Sequence, residues 1–330
     1  MKRSGLTKCA LALAAFLFAS PSIAHETATG DADFDAWLTA LRAEATVQGI
    51  SHDILDASFD GVTPIPRIIE LDRKQPEFTQ TFAQYMEKRI TAKLAKEGRR
   101  HFALNKPLLE EVGRKFGVQP RFIVALWGVE TRYGTYTGGF PVIAALATLA
   151  YDGRRSDYFR GELLKGLTIL EEGHIAPADM MGSWAGAMGQ SQFMPSSFLD
   201  FAVDFDGDNR RDIWTTSADV FASAANYLAR SGWRNDQTWG REVTLPNGFD
   251  PALADLDVVK RLSAWQALGV RRADGSDLPT RDLKASVVLP GGEGGPAYVV
   301  YSNYRTILKW NRSHYFAMSV GRLADLIGNR

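Results

Sequence analysis

The stretch FIVALWGVETRYG, Phe122 to Gly134, decides how the rest of the chain is read. Pro120 stands where a first helical turn tolerates proline, and Gly134 stands where a helix is left, so a helix is predicted between them. Ile123, Leu126, Trp127 and Glu130 fall along one face of it. A carboxylate therefore sits on a stripe otherwise built for a core. Burial beside aliphatic and indole surface disfavours its charged form, and so does a place near the negative end of the helix dipole. Both push a pKa upward, as a general acid working near neutral pH requires. The alternative is a glutamate paired with Arg132 or another cation at a domain seam.

Working outward, the N-terminal side is mostly helical in pattern from Asp33 to about Arg99. FDAWLTALRAEATVQGI and TFAQYMEKRITAKLAKEGRRH each read as one amphipathic helix, and KPLLEEVGRKFG as a third that stops at Gly117. On the other side, FPVIAALATLAY, DYFRGELLKGLTILEEG and ADVFASAANYLARSG continue the helical pattern. After Trp239 the texture changes. REVTLP, KASVVLP and AYVVYSNY are short β-prone runs bounded by Gly, Pro, Asn and Asp. DLDVVKRLSAWQALGV between them holds a helix at most. The glycines at 291–295 read as a turn; they lack the Lys-Ser/Thr ending of a phosphate loop. The expected fold is α+β and mainly α, with a helical region over 25–239, a small antiparallel β subdomain over 240–302 and a helical return over 303–330.

The first 24 residues stand apart. Lys2, Arg3 and Lys8 precede the apolar run CALALAAFLFA, and Ser22 and Ala24 occupy small-residue positions before a cut. This is the pattern of a secretory signal peptide, and the run is too short to span a membrane. The chain is expected in the periplasm, without a membrane anchor. Its one cysteine, Cys9, would leave with the signal, so no disulfide, thiolate nucleophile or cysteine metal site is expected in the mature chain. The full chain carries 38 basic and 38 acidic residues, which gives no basic footprint for nucleic acid.

A second stretch, GSWAGAMGQSQFMPSSF from Gly182 to Phe198, is too rich in Gly, Ala, Ser and Gln for a plain core helix. Small residues let a backbone approach another group closely. Ser183, Gln190, Gln192 and Ser196 offer neutral hydrogen-bonding groups, and Trp184, Phe193 and Met194 offer apolar faces. Such a mixture suits a sugar chain, whose rings have hydroxyl edges and apolar faces; a tight helix–helix contact is the alternative. Tyr133 either faces the same cleft or packs at the helix end. The five histidines are scattered without zinc-ligand spacing, and Ser196 and Ser197 lie in no nucleophile elbow.

The acidic loop DFDGDNRRDIWTTSAD spans 204–219. Asp204, Asp206 and Asp208 occupy positions 1, 3 and 5 of an EF-hand-like loop, with the Arg210 carbonyl at 7 and Asp212 at 9. Hard oxygen ligands at this spacing suit Ca²⁺, here in a structural role. Position 6 is Asn209 rather than Gly, though Asn tolerates a left-handed turn. Position 12 is Thr215, so the bidentate glutamate is missing. A solvated acidic turn, with Arg210 and Arg211 as counter-ions, is the alternative.

WGVETRYG, LATLAYDGRR, AGAMGQSQFMPSSF, VDFDGDNRRDIW, AANYLARSGW and KWNRSHYFAMSV, in this order, resemble the motifs of the lytic murein transglycosylase B family, glycoside hydrolase family 103. The resemblance runs from about residue 35 to 328. It implies a lysozyme-like catalytic core and cleavage of the β-1,4 bond between N-acetylmuramic acid and N-acetylglucosamine in peptidoglycan, leaving a 1,6-anhydromuramic end. It makes Glu130 the acid/base and places Ser183, Gln192 and Asn311 along the glycan cleft. The position before Asn311, often Tyr in the family, is Trp310 here, which keeps a stacking face and loses a hydroxyl. It also implies that a later acid, Asp219, closes the calcium loop. Ordinary glycosidases use two carboxylates. No motif near Glu130 supplies a second one, and Asp152 reads better as structural. The rivals are a hydrolysing muramidase on the same scaffold and a non-catalytic peptidoglycan-binding protein. A monomer acting on glycan strands is expected, with association into cell-wall enzyme complexes left open.

Overall fold

The computed structural model describes residues 31–74 and 80–328. The signal-peptide reading lies outside the described residues. The chain begins with α1 (Asp31–Val47), α2 (His52–Phe59), α3 (Pro66–Arg73), α4 (Phe82–Arg89), α5 (Ala92–Leu104), α6 (Lys106–Phe116) and α7 (Pro120–Thr131). Next come β1 (Phe140–Pro141), α8 (Val142–Tyr151), α9 (Ser156–Glu171), β2 (Met181–Gly182), α10 (Pro195–Phe201) and α11 (Ser217–Arg230). Strands β3 (Gly240–Thr244) and β4 (Lys260–Arg261) precede α12 (Leu262–Ala267), β5 (Arg271–Arg272), β6 (Lys284–Val288) and β7 (Ala297–Val300). The chain ends in α13 (Ser302–Trp310) and α14 (His314–Ile327). The fold is mainly helical with small antiparallel sheets, the α+β class expected.

Three apolar cores organise these elements. One gathers α4 to α7 with α11, α13 and α14. A second gathers α1 to α3 with α8 to α10. The third lies between α12 and a five-stranded sheet of order β4-β6-β7-β3-β5, antiparallel throughout. Trp310 packs against both the first and the second core, so the end of α13 marks their seam.

Helix α7 is buried on every side from Arg121 to Val129, packed among α5, α6, α11 and α14. It is a central helix rather than an amphipathic one, so the single-stripe reading was too narrow. Beyond Pro120 at its start, it reaches partly exposed surface only at Glu130. Its end is also sharper than the sequence suggests. Arg132 and Tyr133 take left-handed backbone, φ 47° and 59°, before Gly134 does. The reversal carries the Tyr133 ring back under the helix. A Cβ on Gly128 would lie 2.6 Å from that ring, so only glycine fits there.

The long helix expected over 81–101 is two helices. Thr91 caps α5, its hydroxyl accepting from the Leu94 amide at 3.1 Å, and the chain bends at Ile90. The stretch 183–194 carries no helix among the described residues. It folds as a compact loop in which Met188 bridges to Gly182 and to Phe193.

Candidate active site

Glu130 closes the last full turn of α7. The Trp310 indole Nε1 donates to its Oε1 at 2.8 Å. The exchange noted at this position thus costs a hydroxyl but retains a donor. Arg89, at the end of α4, donates to the Val129 carbonyl and holds its guanidinium near the same carboxyl. Burial pushes the Glu130 pKa up to about 7, while the Trp310 hydrogen bond and the Arg89 charge pull against it. At neutral pH the carboxyl is therefore divided between its two protonation states, as a group that must both give and take a proton requires.

Glu130 forms part of the wall of a cleft of about 1130 Å³. Tyr85 and Arg89 of α4 line it on one side, and Asp255, Leu256 and Asp257 of the sheet-bearing unit on another. The link from Asn311 to Ser313 and the start of α14 complete it. Among the residues singled out in the sequence, the structure brings Glu130, Trp310 and Asn311 together here. Behind Trp310 an aromatic group continues the seam: Tyr227 lies 4.7 Å and Phe193 5.2 Å from it, ring centre to ring centre.

The other candidates have mixed placements. Gln190 shares a small apolar hollow with Glu130 and Trp127, but both ends of its amide are engaged. Its Oε1 accepts from the Trp127 indole at 2.7 Å, and its Nε2 donates to the Trp214 carbonyl at 2.8 Å. Gln192 takes left-handed backbone, φ 50°, and its Nε2 donates to the carbonyls of Thr137 and Gly189, both at 2.9 Å. Ser183 Oγ accepts from the amides of Ala187 at 3.0 Å and Ala185 at 3.3 Å. These three side chains fix the shape of the 183–194 loop beside the seam. Tyr133 is turned away from the cleft. It is buried, stacked on His101, and its hydroxyl donates to the Leu94 carbonyl at 2.8 Å. Of its two sequence readings, packing at the helix end matches this placement, and the cleft-facing one is corrected.

The acidic loop divides its acids. Carboxylate oxygens of Asp204, Asp206 and Asp219 lie within 4.8 Å of one another. Asp208 points to Arg210 instead, in a 3.0 Å ion pair. Asp212 caps the following turn, accepting from the amides of Trp214 and Thr215 at 2.8 Å each. Asp208 and Asp212 are therefore not in the cluster, a correction to their placement as side-chain ligands. Asp219 ties the loop together: its two oxygens accept from the amides of Phe205 and Asp212, both at 2.7 Å. Burial raises its pKa to about 6, and the charges of Asp206 and Asp204 add to that. Three converging hard oxygens in such a field could hold a metal cation.

Arg89, Tyr227, Asp255 and Asp257 were missed in the sequence. Each lies far along the chain from Glu130; Arg89, Asp255 and Asp257 sit in stretches whose pattern is ordinary, while Tyr227 lies within AANYLARSGW, a motif that was noted without a role for this residue. Asp152, weighed earlier as a second acid, pairs with Arg73 at 2.9 Å.

A cleft walled in part by one carboxyl poised near neutrality, in a mainly helical fold, is the site expected of an acid/base enzyme. The chain belongs to the transglycosylase SLT domain family, whose model matches residues 33–325. It is 34% identical over 250 residues to the membrane-bound lytic murein transglycosylase B of Escherichia coli strain K12, covering 74% of this chain and 66% of that protein. The chain thus spans just under two thirds of that relative. SltB3 from Pseudomonas aeruginosa, solved in complex with NAG-anhNAM-pentapeptide, superposes with a TM-score of 0.87 and 44% identity. That match covers 89% of this chain and 79% of SltB3. The Escherichia coli lytic transglycosylase Slt35, solved in complex with calcium, gives a TM-score of 0.77 and 27% identity, covering 90% of this chain and 93% of Slt35.

Proposed function

We propose that this protein is a lytic transglycosylase that cuts the β-1,4 bond between N-acetylmuramic acid and N-acetylglucosamine in peptidoglycan, with Glu130 as its single acid/base. The carrying observation is Glu130 itself, raised to about 7 and oriented by Trp310 at the wall of a cleft of about 1130 Å³. Protonated Glu130 gives its proton to the glycosidic oxygen as the C1–O bond breaks. The N-acetyl oxygen of the muramic residue stabilises the cation-like C1. The carboxylate then takes the proton of the C6 hydroxyl, and O6 bonds to C1. The anhydro ring closes, Glu130 is reprotonated, and no water is consumed. Trp310 holds one carboxyl oxygen in place, which leaves the other to carry the proton.

A hydrolysing muramidase is the second reading, because Asp255 and Asp257 line the same cleft and a hydrolase needs a second carboxylate. Cleavage in heavy-oxygen water separates the two. The lyase incorporates no label at the new muramic end; a hydrolase does.

Asp204, Asp206 and Asp219 are assigned to a structural Ca²⁺, supported by their convergence and by the calcium complex of Slt35. Bound there, the ion would join the loop after α10 to the start of α11 and supply no chemistry at Glu130. The working place proposed is the periplasm, following signal cleavage near Ala24. No helix among the described residues is long and apolar enough to cross a membrane.

A further inference from the structure

Beside the cleft at Arg312 lies a second groove of about 460 Å³, lined by Leu256, Arg305, Leu308, Lys309 and Arg312. Leu256 and Arg312 line both spaces, so the two adjoin. Every ionisable side chain lining the groove is cationic. The three cations follow one another at four- and three-residue steps along α13 and just past its end.

Their engagements differ. Arg305 is committed to the frame: it donates to the Leu256 carbonyl and to Ser286 Oγ. Lys309 donates to the Ser231 carbonyl at 2.7 Å and keeps further N–H donors. Arg312 has no hydrogen bond or ion pair among the described residues. On the cleft side, Asp255 and Asp257 flank Leu256 and would repel an anion there. An acidic group leaving the cleft is thus turned away from its inner wall and toward Arg312 and Lys309 outside it.

We propose that this groove receives the peptide stem of the glycan strand and binds its carboxylates through Arg312 and Lys309. The inference rests on the peptidoglycan reading above. A stem branches sideways from its muramic ring and advances roughly 3.3 Å per residue, so a few residues reach from the cleft into the groove. The floor suits such a peptide: Leu256 and Leu308 meet alanine methyl groups, and a guanidinium takes a carboxylate through paired N–H donors. The groove therefore makes the enzyme favour strands that carry stems.

The test measures binding to the Glu130→Gln protein, which holds strands without turning them over. The probes are soluble glycan strands bearing tetrapeptide stems and the same strands stripped of stems by an amidase. With the groove intact, stem-bearing strands bind about fivefold more tightly, the order expected of two exposed ion pairs. The preference shrinks as salt is added. Adding Arg312→Ala and Lys309→Ala abolishes it, while Arg312→Lys alone retains most of it. If the double change lowers the melting temperature, Arg312→Ala alone carries the test, since that side chain makes no hydrogen bond or ion pair among the described residues. An equal preference with and without the cations, or no preference with them, overturns the proposal. The binding ratio is independent of turnover: wild-type protein that fails to cut either strand would sink the lytic reading and leave this measurement to stand by itself.

Discussion

Replacing Trp310 with Phe removes one interaction from Glu130 while keeping an aromatic ring against Tyr227 and Phe193. The lost group is an N–H that donates to Oε1 at 2.8 Å. A hydrogen bond to a charged acceptor contributes about 1.5–3 kcal/mol, and water entering the cleft recovers part of it. A net loss of about 1.4 kcal/mol corresponds to about one pKa unit. The bond favours the carboxylate, so its loss raises the pKa, from about 7 toward about 8. The first step needs the protonated acid. The basic limb of the kcat/KM profile therefore moves up by about one pH unit in Trp310→Phe. The other charged groups around the cleft, Arg89, Asp255, Asp257, Arg312 and His314, are unchanged in this variant. Burial holds the His314 pKa below its usual value, so its titration falls on the acidic side of the profile. The assay is turnover of solubilised peptidoglycan across the pH range. A basic limb that stays in place, or moves down, refutes the claim that Trp310 tunes Glu130.

Three further outcomes are expected. Because the folded-state pKa of Glu130 stands at about 7 against an ordinary 4.5, the fold loses stability as pH rises between those values and stays at the lower level above them. Glu130→Gln should accordingly melt higher than wild type at pH 8, by up to about 3 kcal/mol of stability, with little gain at pH 4. Calcium at a hundredfold excess over its dissociation constant should stabilise the protein by about 2.7 kcal/mol, and Asp219→Asn should remove most of that response in thermal melts. Tyr133→Phe should cost about 1 kcal/mol in denaturant unfolding, through the bond to Leu94, and leave kcat/KM within about twofold.

Local rules made much of this molecule legible. Pro120 and the apolar run after it mark α7, and Gly117 ends α6 in a left-handed turn, φ 66°. The β-prone runs after Trp239 are strands of the five-stranded sheet. Glu130 stood out because a carboxylate on an apolar helix violates the local pattern. What stayed hidden depended on distance along the chain or on geometry without a period. The break between α4 and α5 hides because the apolar spacing of 81–101 runs on through Ile90, and only the Thr91 cap interrupts it. Arg132 and Tyr133 adopt left-handed backbone that their residue types do not advertise. The wall formed by Asp255 and Asp257 lies on a separate unit, and its approach to Glu130 is a property of how three cores meet. Tyr133 resisted assignment for a related reason: helical phase cannot be extrapolated through a chain reversal.

The measurement that bears most directly on the central claim is mass analysis of the muropeptides released from purified peptidoglycan by wild type and by Glu130→Gln. The account predicts wild-type products one water lighter than their reducing-end counterparts, and none from the variant. Reducing-end products from wild type, or anhydro products from Glu130→Gln at an undiminished rate, would contradict it.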